Sequence, residues 1–260
     1  MALLEVNKLT KAFGGLVALN NFVLKMEKGE LVGLIGPNGA GKTTVFNLLT
    51  GLYQPTSGNI VFEGRDLRGK HPHQITKMGI ARTFQNIRLF GNLSVLDNVK
   101  IAHQVVINYG LIPAFFRIPP FYRREAEIEE SALKLMEIFD LKKYAHEKAK
   151  NLPYGEQRRL EITRALATKP KLLLLDEPAA GMNPQETHDL LELIKWIRDE
   201  FDLTIILIEH DMSLVMSLCE RVLVLDYGSL IAEGTPQEIQ QNPRVIEAYL
   251  GDEEVAAWEE

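Results

Sequence analysis

Short hydrophobic runs separated by turn residues open the chain. Residues 3–6 and 22–26 are short, mostly apolar runs of strand type, and Gly14-Gly15 and Asn20-Asn21 between them are typical of turns. This spacing predicts antiparallel strands. Residues 31–35 then form a continuous apolar run, which is typical of a strand buried on both faces.

A glycine-rich turn follows that buried run. Residues 43–50 then have a helix-like pattern, which Gly51 closes. Two further apolar runs, residues 172–175 and 204–208, enclose a segment in which one helix face carries Leu190, Ile194 and Ile197. The pattern predicts parallel strands connected by a helix.

Between residues 94 and 165 the strand signal disappears. Apolar residues recur there at helical spacing, at Ile128, Ala132, Leu135, Met136 and Phe139. Residues 222–225 and 230–233 return to strand pattern around Asp226-Tyr227-Gly228-Ser229, which predicts a hairpin. We therefore expect one α/β domain over residues 1–260, in which residues 1–93 and 166–260 form the core and residues 94–165 an inserted helical subdomain.

Composition and charge narrow the classes of protein. The 260 residues are 46% hydrophobic and 25% charged, which excludes collagen-like, disordered and disulfide-rich chains. The 35 acidic residues outnumber the 29 basic ones, leaving a net charge of −6. That excess argues against binding to nucleic acid through phosphate neutralisation.

Neither export nor a membrane span is expected. Cys219 has no second cysteine to pair with, and no basic segment leading into a long apolar one follows Met1, so we expect a cytosolic protein. The most lipid-like stretch, residues 111–121, contains Arg117 and three prolines and is shorter than the roughly 20 residues a spanning helix needs.

Residues 36–43 read Gly-Pro-Asn-Gly-Ala-Gly-Lys-Thr and match the G-x-x-x-x-G-K-[ST] phosphate-binding loop in full. Its backbone amides and the following helix N-terminus attract a polyphosphate, Lys42 adds a positive charge, and the Thr43 hydroxyl can ligate Mg²⁺. The sequence therefore predicts nucleotide binding. The candidate residues are Gly36, Pro37, Asn38, Gly39, Ala40, Gly41, Lys42, Thr43 and Thr44.

Two acids end the buried run at residues 172–175. Open α/β sheets bind ligands at the carboxyl ends of their strands, so Asp176 is a candidate Mg²⁺ ligand and Glu177 a candidate base that activates water. A small-molecule kinase or GTPase on the same loop is an alternative, although no N-K-x-D guanine-reading motif is present.

With these motifs, nearly the whole chain resembles the ATP-binding subunits of ABC transporters, P-loop ATPases with an antiparallel β-subdomain and a helical insert. The resemblance implies adenine stacking for Phe13, in Lys11-Ala12-Phe13-Gly14-Gly15. It also implies a Q-loop role for Gln85, which contacts Mg²⁺ and water, and a γ-phosphate-sensing role for His210.

The signature segment departs from the family's L-S-G-G-Q. It reads Leu152-Pro153-Tyr154-Gly155-Glu156, where Pro153 lacks the hydroxyl and the amide donor of the family's serine. Tyr154, Gly155 and Glu156 remain candidates for a nucleotide across a dimer interface. Asn183 stands where the family commonly has Asp in its D-loop, and it also suits a helix N-cap before Pro184.

Four segments narrow the resemblance to LivG-type subunits of branched-chain amino acid importers, namely residues 82–85, 119–124, 178–181 and 242–251. The resemblance implies ATP and Mg²⁺ as cofactors, transmembrane permease subunits as partners, and a peripheral position on the inner face of the cell membrane. It further implies a second homologous ATP-binding subunit, or a second copy, that shares ATP in a sandwich dimer, and no direct contact with the cargo.

Three alternatives stay open within this resemblance. The chain could energise a lipid or lipopolysaccharide exporter, or a urea or amide importer, because cargo does not touch this kind of subunit. A soluble ABC protein acting on nucleic acid or ribosomes belongs to another class. That class favours paired cassettes, added zinc or coiled-coil segments, or a basic face, and the sequence contains none of these.

Overall fold

The computed structural model describes residues 2–106, 115 and 119–250. Its contacts divide the chain into two compact units, Met1–Ile75 with Lys171–Glu260, and Thr76–Pro170. We call them the first unit and the helical unit. The predicted helical insert, residues 94–165, falls inside the helical unit, which also includes the segment around Gln85.

The described strands are, in chain order, β1 (Leu4–Phe13), β2 (Leu16–Met26), β3 (Leu31–Ile35), β4 (Ser57–Phe62), β5 (Arg65–Asp66), β6 (Ile80–Arg82), β7 (Leu172–Asp176), β8 (Thr204–Ile208), β9 (Arg221–Asp226) and β10 (Ser229–Gly234). The described helices are α1 (Lys42–Leu49), α2 (Pro72–Met78), α3 (Val95–His103), α4 (Pro119–Ile138), α5 (Tyr154–Ala167), α6 (Pro184–Glu200), α7 (Met212–Leu218), α8 (Pro236–Gln240) and α9 (Pro243–Leu250). Short 3₁₀ turns lie at Lys142–Tyr144 and Ala149–Asn151.

An antiparallel sheet of the first unit has the strand order β2-β1-β4-β5. Leu4 lies opposite Met26 and Phe13 opposite Leu16, so the predicted antiparallel pairing is confirmed. Both strands extend well beyond the apolar runs. Asn20 and Asn21, whose pattern is typical of a turn, lie inside β2, where both are exposed and Asn21 has a φ of 50°. The sequence pattern did not predict β4 and β5.

The second sheet of the first unit has the order β10-β9-β3-β8-β7 within that unit. Strands β9, β3, β8 and β7 are parallel, and every residue of β3, β7 and β8 is buried, as their continuous apolar runs predicted. The carboxyl ends of β3, β8 and β7 therefore lie side by side at one edge of the sheet.

The elements around this sheet also follow the pattern. Helix α6 buries Leu190, Ile194 and Ile197, so the predicted face is confirmed. Strands β9 and β10 form the predicted hairpin. Its turn residues Tyr227 and Gly228 have φ values of 41° and 77°, the left-handed conformation that tight hairpin turns require.

The helical unit is built on contacts of α3 with α4 and α5. Its core includes the residues whose spacing predicted a helix, Ile128, Ala132, Leu135, Met136 and Phe139. Most of the stretch 111–121 lies outside the described residues, as does Gly251. In the described part of the chain no helix is both long enough and apolar enough to cross a membrane.

Candidate nucleotide-binding site

The glycine-rich loop, residues 36–41, connects β3 to α1. Gly36, Gly39 and Gly41 have φ values of 145°, 80° and 104°, which side chains disfavour. A Cβ at Gly36 would stand 2.0 Å from the Leu225 carbonyl oxygen, and one at Gly41 would stand 2.7 Å from that of Ala18. The end of β9 and the start of β2 thus hold this loop in a shape that only glycine permits at both positions.

Lys42 begins α1 and is buried against the loop. Its Nζ donates to the carbonyl oxygens of Gly36 and of Pro37, the latter at 3.0 Å. Helix α1 has no acidic residue in its first turn and no side-chain cap at Gly41, so the positive end of the helix has no anionic side chain there. Thr43 is exposed and Thr44 half-buried at the same end. This arrangement suits an anion.

Of the other loop residues, Asn38 and Gly39 are exposed, whereas Pro37 and Ala40 are buried. The Ala40 carbonyl accepts a hydrogen bond from the Gly228 amide at 3.0 Å. The exposed part of the loop is therefore the part that can meet a ligand.

Asp176 and Glu177 lie buried at the carboxyl end of β7. Glu177 has a φ of 47°, a conformation that costs on the order of 1 kcal/mol outside glycine. Its amide donates to the Ile208 carbonyl at 2.8 Å, and its Oε1 lies 2.7 Å from His210 Nε2. The structure thus brings the candidate base and the candidate sensor into direct contact.

Glu209, the residue directly after β8, was not among the predicted residues. It is buried, and burial raises the pKa of its carboxyl to about 7. The nearby charges of Glu177 and Asp211 raise this pKa further, while an N–H from Ala179, donated at 2.8 Å, opposes the shift. In the sequence its only signal was its position directly after β8, whose last four residues are apolar.

Phe13 ends β1 at the surface of the first unit. Its ring meets that of Tyr53 with centroids 5.1 Å apart, and Lys11 Nζ lies 4.8 Å from the Phe13 centroid. Tyr53 and Lys11 were not predicted as site residues, because neither belongs to a phosphate-binding motif.

Gln85, Tyr154, Gly155 and Glu156 lie in the helical unit, whereas the other predicted site residues lie in the first unit. Helix α5 begins at Tyr154, so Pro153 is its N-cap, one residue before the first turn, and caps no amide with its side chain. Gln85 is exposed in the loop after β6.

Arg158 connects the Gln85 loop to the signature helix. Its side chain has 0% relative exposure. Nη1 donates to the Phe84 carbonyl at 2.7 Å, and Nη2 donates to the Gln85 carbonyl at 2.9 Å and to the Tyr154 hydroxyl at 3.3 Å. The backbone next to Gln85 and the first turn of α5 therefore share one guanidinium.

Glu161 completes this network. It pairs with Arg158 at 2.9 Å and accepts N–H groups of Phe84 at 3.2 Å and Arg88 at 3.4 Å. Burial raises the pKa of Glu161, although Arg158 and the two N–H groups oppose the rise. These bonds hold the loop before residue 94 to α5, which is a physical reason for its place in the helical unit. Neither Arg158 nor Glu161 was predicted, because an i,i+3 charge pair on a helix usually lies at the surface.

Asn183 caps α6 in the structure. Its Oδ1 accepts the Glu186 amide at 2.9 Å, and Glu186 Oε2 accepts the Asn183 amide at 3.0 Å. Pro184 occupies the first helical turn. The capping role that the sequence left open is therefore present.

This chain is similar in sequence to known proteins. The sequence model of the ABC transporter family matches residues 19–180, and that of the branched-chain amino acid ATP-binding cassette transporters matches residues 229–255. The high-affinity branched-chain amino acid transport ATP-binding protein BraF of Pseudomonas aeruginosa is 48% identical over 96% of this chain and 98% of its own length. The high-affinity branched-chain amino acid transport ATP-binding protein LivG of Salmonella typhimurium is 49% identical over 96% of this chain and 98% of its own length.

Solved structures agree with this similarity. The ADP conformation of an ATP-binding cassette of an ABC transporter superposes with a TM-score of 0.84 at 31% identity, covering 97% of this chain and 100% of that one. A dimeric, post-hydrolysis ATP-binding cassette bound to ADP and Pi superposes with a TM-score of 0.76 at 25% identity, covering 90% and 98%.

Proposed function

The chain belongs to the ABC transporter family, as an ATP-hydrolysing subunit of its branched-chain amino acid branch, and on this premise we propose how its residues do that work. The observation that carries the proposal is the sheet edge itself. There the phosphate-type loop follows β3, the acids Asp176 and Glu177 lie at the end of β7, and His210 comes after β8. Strands β3, β8 and β7 are parallel neighbours in this order. Ligands of open α/β sheets bind at such an edge.

The triphosphate binds on the loop of residues 36–41 and the first turn of α1. The backbone amides of this turn and the Lys42 ammonium supply the positive charge, while Thr43 and Thr44 offer hydroxyl groups. Lys42 already donates to loop carbonyls, so its ammonium stands at the loop before any phosphate arrives. The loop is thereby prepared for the ligand.

Mg²⁺ suits the oxygen groups at this edge. The Thr43 hydroxyl and the Asp176 carboxylate would hold it together with phosphate oxygens, and Gln85 is a third candidate ligand. Bound there, the ion would neutralise charge that develops on the phosphates. Asp176 is the last residue of β7, and Thr43 lies in the first turn of α1, which the glycine-rich loop connects to β3 of the same sheet. Both side chains carry the hard oxygen donors that Mg²⁺ prefers.

Glu177 acts as the base in the hydrolysis. Its carboxylate takes a proton from the water that attacks the γ-phosphorus, the bond from that phosphorus to the bridging oxygen breaks, and ADP and phosphate leave. His210, in contact with the same carboxylate at 2.7 Å, orients it and senses the γ-phosphate. The Glu177 amide, bonded to the Ile208 carbonyl at 2.8 Å, fixes the backbone from which this carboxylate extends.

The helical unit completes the site in a dimer. Tyr154, Gly155 and Glu156 open α5, and the amides of that helix N-terminus would face the γ-phosphate bound by a second subunit. The dimeric relative bound to ADP and Pi supports such an arrangement. ATP then joins two subunits, and hydrolysis lets them part.

The partners follow from the family. Transmembrane permease subunits and a second, homologous ATP-binding subunit or a second copy would assemble with this chain on the inner face of the cell membrane. The cargo, branched-chain amino acids, would touch the permease and not this subunit. The relatives BraF and LivG favour this cargo over lipids, urea or amides, and no nucleic acid partner is proposed.

Replacing the base tests the proposal. Glu177→Gln keeps the size and one oxygen of the side chain but cannot accept the proton. We expect MgATP binding to persist, steady-state hydrolysis to fall at least about 100-fold, and a closed dimer to accumulate in gel filtration with ATP. Lys42→Ala is the contrasting variant, in which most nucleotide affinity should be lost. Undiminished hydrolysis by Glu177→Gln would reject Glu177 as the base.

A further inference from the structure

Three side chains of the first unit form an open corner at its surface, which we call the aromatic corner: Lys11, Phe13 and Tyr53. The two rings meet edge to face at an interplanar angle of 77°. Phe13 is 43% exposed and Tyr53 37% exposed. Lys11 Nζ lies 4.8 Å from the Phe13 centroid and 5.8 Å from that of Tyr53. An exposed aromatic pair with a cation beside it is a surface suited to a flat, electron-rich ligand.

Backbone and side-chain bonds fix this corner. The Thr56 amide donates to the Thr10 carbonyl at 2.8 Å, and the Ala12 amide donates to Thr56 Oγ1 at 3.0 Å. Lys11 Nζ donates to the Gln54 carbonyl at 2.9 Å. The segment that carries the tyrosine is therefore attached to the end of β1, and the two rings meet because the backbone brings them together.

The corner is also attached to the glycine-rich loop on two sides. The Tyr53 amide donates to the Asn47 carbonyl of α1 at 3.0 Å, and α1 begins where the loop ends. On the other side, Phe13 lies at the β1–β2 turn, and the Ala18 carbonyl of β2 packs directly on Gly41. A ligand held by its phosphates at the loop thus has this corner within the same unit.

We propose that Tyr53 is a second base-binding residue, whose ring contacts the purine that stacks on Phe13. This role rests on the nucleotide binding proposed above. An aromatic side chain stacks on the flat face of a base, a contact that every base can make and that does not depend on the hydrogen-bonding groups of the base. A purine presents a larger stacking area than a pyrimidine. The corner therefore sets a preference for the class of base.

Isothermal titration of the wild-type chain and its variants with MgATP and with Mg-tripolyphosphate, which has no base, tests this role. Tyr53→Leu should weaken ATP binding about 3- to 10-fold and leave tripolyphosphate binding unchanged. Tyr53→Phe keeps the ring and should bind ATP like the wild type. The preference for ATP over CTP should shrink in Tyr53→Leu. Tyr122→Leu, which removes an exposed tyrosine of the helical unit, is the matched control and should change neither ligand.

A second comparison separates contact with the base from support of the Phe13 ring. In the Phe13→Leu background, Tyr53→Leu should weaken ATP binding again. No further loss there, or equal losses for ATP and tripolyphosphate, would overturn the role of Tyr53. A wild-type chain that binds neither ligand would instead overturn the proposed function, so the two failures can be told apart.

Discussion

At the scale of single residues, the fold raises the pKa of Glu209, which lies near Glu177 and His210, the proposed base and sensor. Its pKa is raised to about 7 in the folded chain, mainly by burial, whereas its ordinary value is 4.5. Between about pH 4.5 and pH 7 the Glu209 carboxyl keeps its proton in the folded chain, whereas in the unfolded chain it has released it. Stability from this group is therefore lost as the pH rises from about 4.5 to 7.

We expect Glu209→Gln to remove this pH dependence. The difference in the free energy of unfolding, variant minus wild type, should be larger at pH 8 than at pH 5 by roughly 2 to 3 kcal/mol, because only the wild type loses stability as the pH rises. Urea unfolding at both pH values measures it, with the exposed Glu200→Gln as the control for loss of one carboxyl. If this difference is the same at both pH values, burial does not raise the pKa of Glu209.

Arg158 is the second residue whose environment decides its role. It is fully buried, pairs with Glu161, and donates to two carbonyls of the Gln85 loop. We expect Arg158→Leu to lower the free energy of unfolding of the helical unit by about 3 kcal/mol or more, because it leaves the Glu161 carboxylate buried without its cation.

The neighbouring Arg159→Leu is the matched control for Arg158→Leu. Arg159 is partly exposed and lies 3.8 Å from Asp140, so its loss should cost less than about 1 kcal/mol. Adding Glu161→Leu to Arg158→Leu should restore part of the stability. Equal effects of the two arginine variants in urea unfolding would contradict a special role for the buried pair.

At the scale of elements, the N-terminus of α6 combines a capping box with a proline in its first turn. Both side chains of the box bond to the opposite backbone amide. Such bonds satisfy amides that the helix leaves without internal partners. The element is thereby anchored directly after the loop that follows Glu177.

We expect Asn183→Ala to lower the free energy of unfolding by about 1 kcal/mol. Asn183→Asp should retain the cap, because a carboxylate oxygen can accept the Glu186 amide equally well. Urea unfolding of the three proteins measures the difference. If Asp and Ala cost the same, the cap does not stabilise α6, and the family's D-loop role is the remaining reason for a polar residue there.

The bounds of the strands show which of them the pattern of apolar residues can predict. The fully buried strands β3, β7 and β8 were predicted within one residue, because an unbroken apolar run of that length has few other outcomes. Strands β4, β5 and β6 were not predicted. Strands β5 and β6 have only two and three residues, and β4, although it has six, buries only Ile60 and Phe62 and so lacks a continuous apolar run. The partner that holds β4 in the sheet is β1, which is distant in sequence.

At the scale of the whole molecule, the proposed ATP sandwich depends on a signature helix with an unusual start. Pro153 is the N-cap of α5 and has neither an amide donor nor a hydroxyl. A serine there would supply both to a γ-phosphate bound by the partner subunit. The weaker anion site of this chain would then affect only the nucleotide on its partner.

We expect Pro153→Ser to raise ATP hydrolysis by the assembled complex, with its permease and second ATP-binding subunit, about 3- to 10-fold, the effect of one added hydrogen bond. Pro153→Ala restores the amide but not the hydroxyl and should give a smaller increase. Steady-state phosphate release from the reconstituted complex measures both. Unchanged rates would mean that the departure from the family's serine has no effect on turnover.

The sequence by itself determined the two strand types, the helical insert, the phosphate-type loop and the acids after β7. Each of these depends on neighbours in the chain, on a continuous apolar run, a helical period or a fixed spacing of glycines around Lys42. Such local patterns constrain the backbone before any tertiary contact forms.

Only the tertiary structure decided which side chains meet. Three contacts join residues that are far apart in the chain: Glu177 with His210, Arg158 with the Gln85 carbonyl, and Phe13 with Tyr53. The raised pKa of Glu209 likewise comes from its burial in the folded chain. Their chemistry arises from burial and pairing, which packing sets. A linear pattern records the residue types but not their neighbours in space.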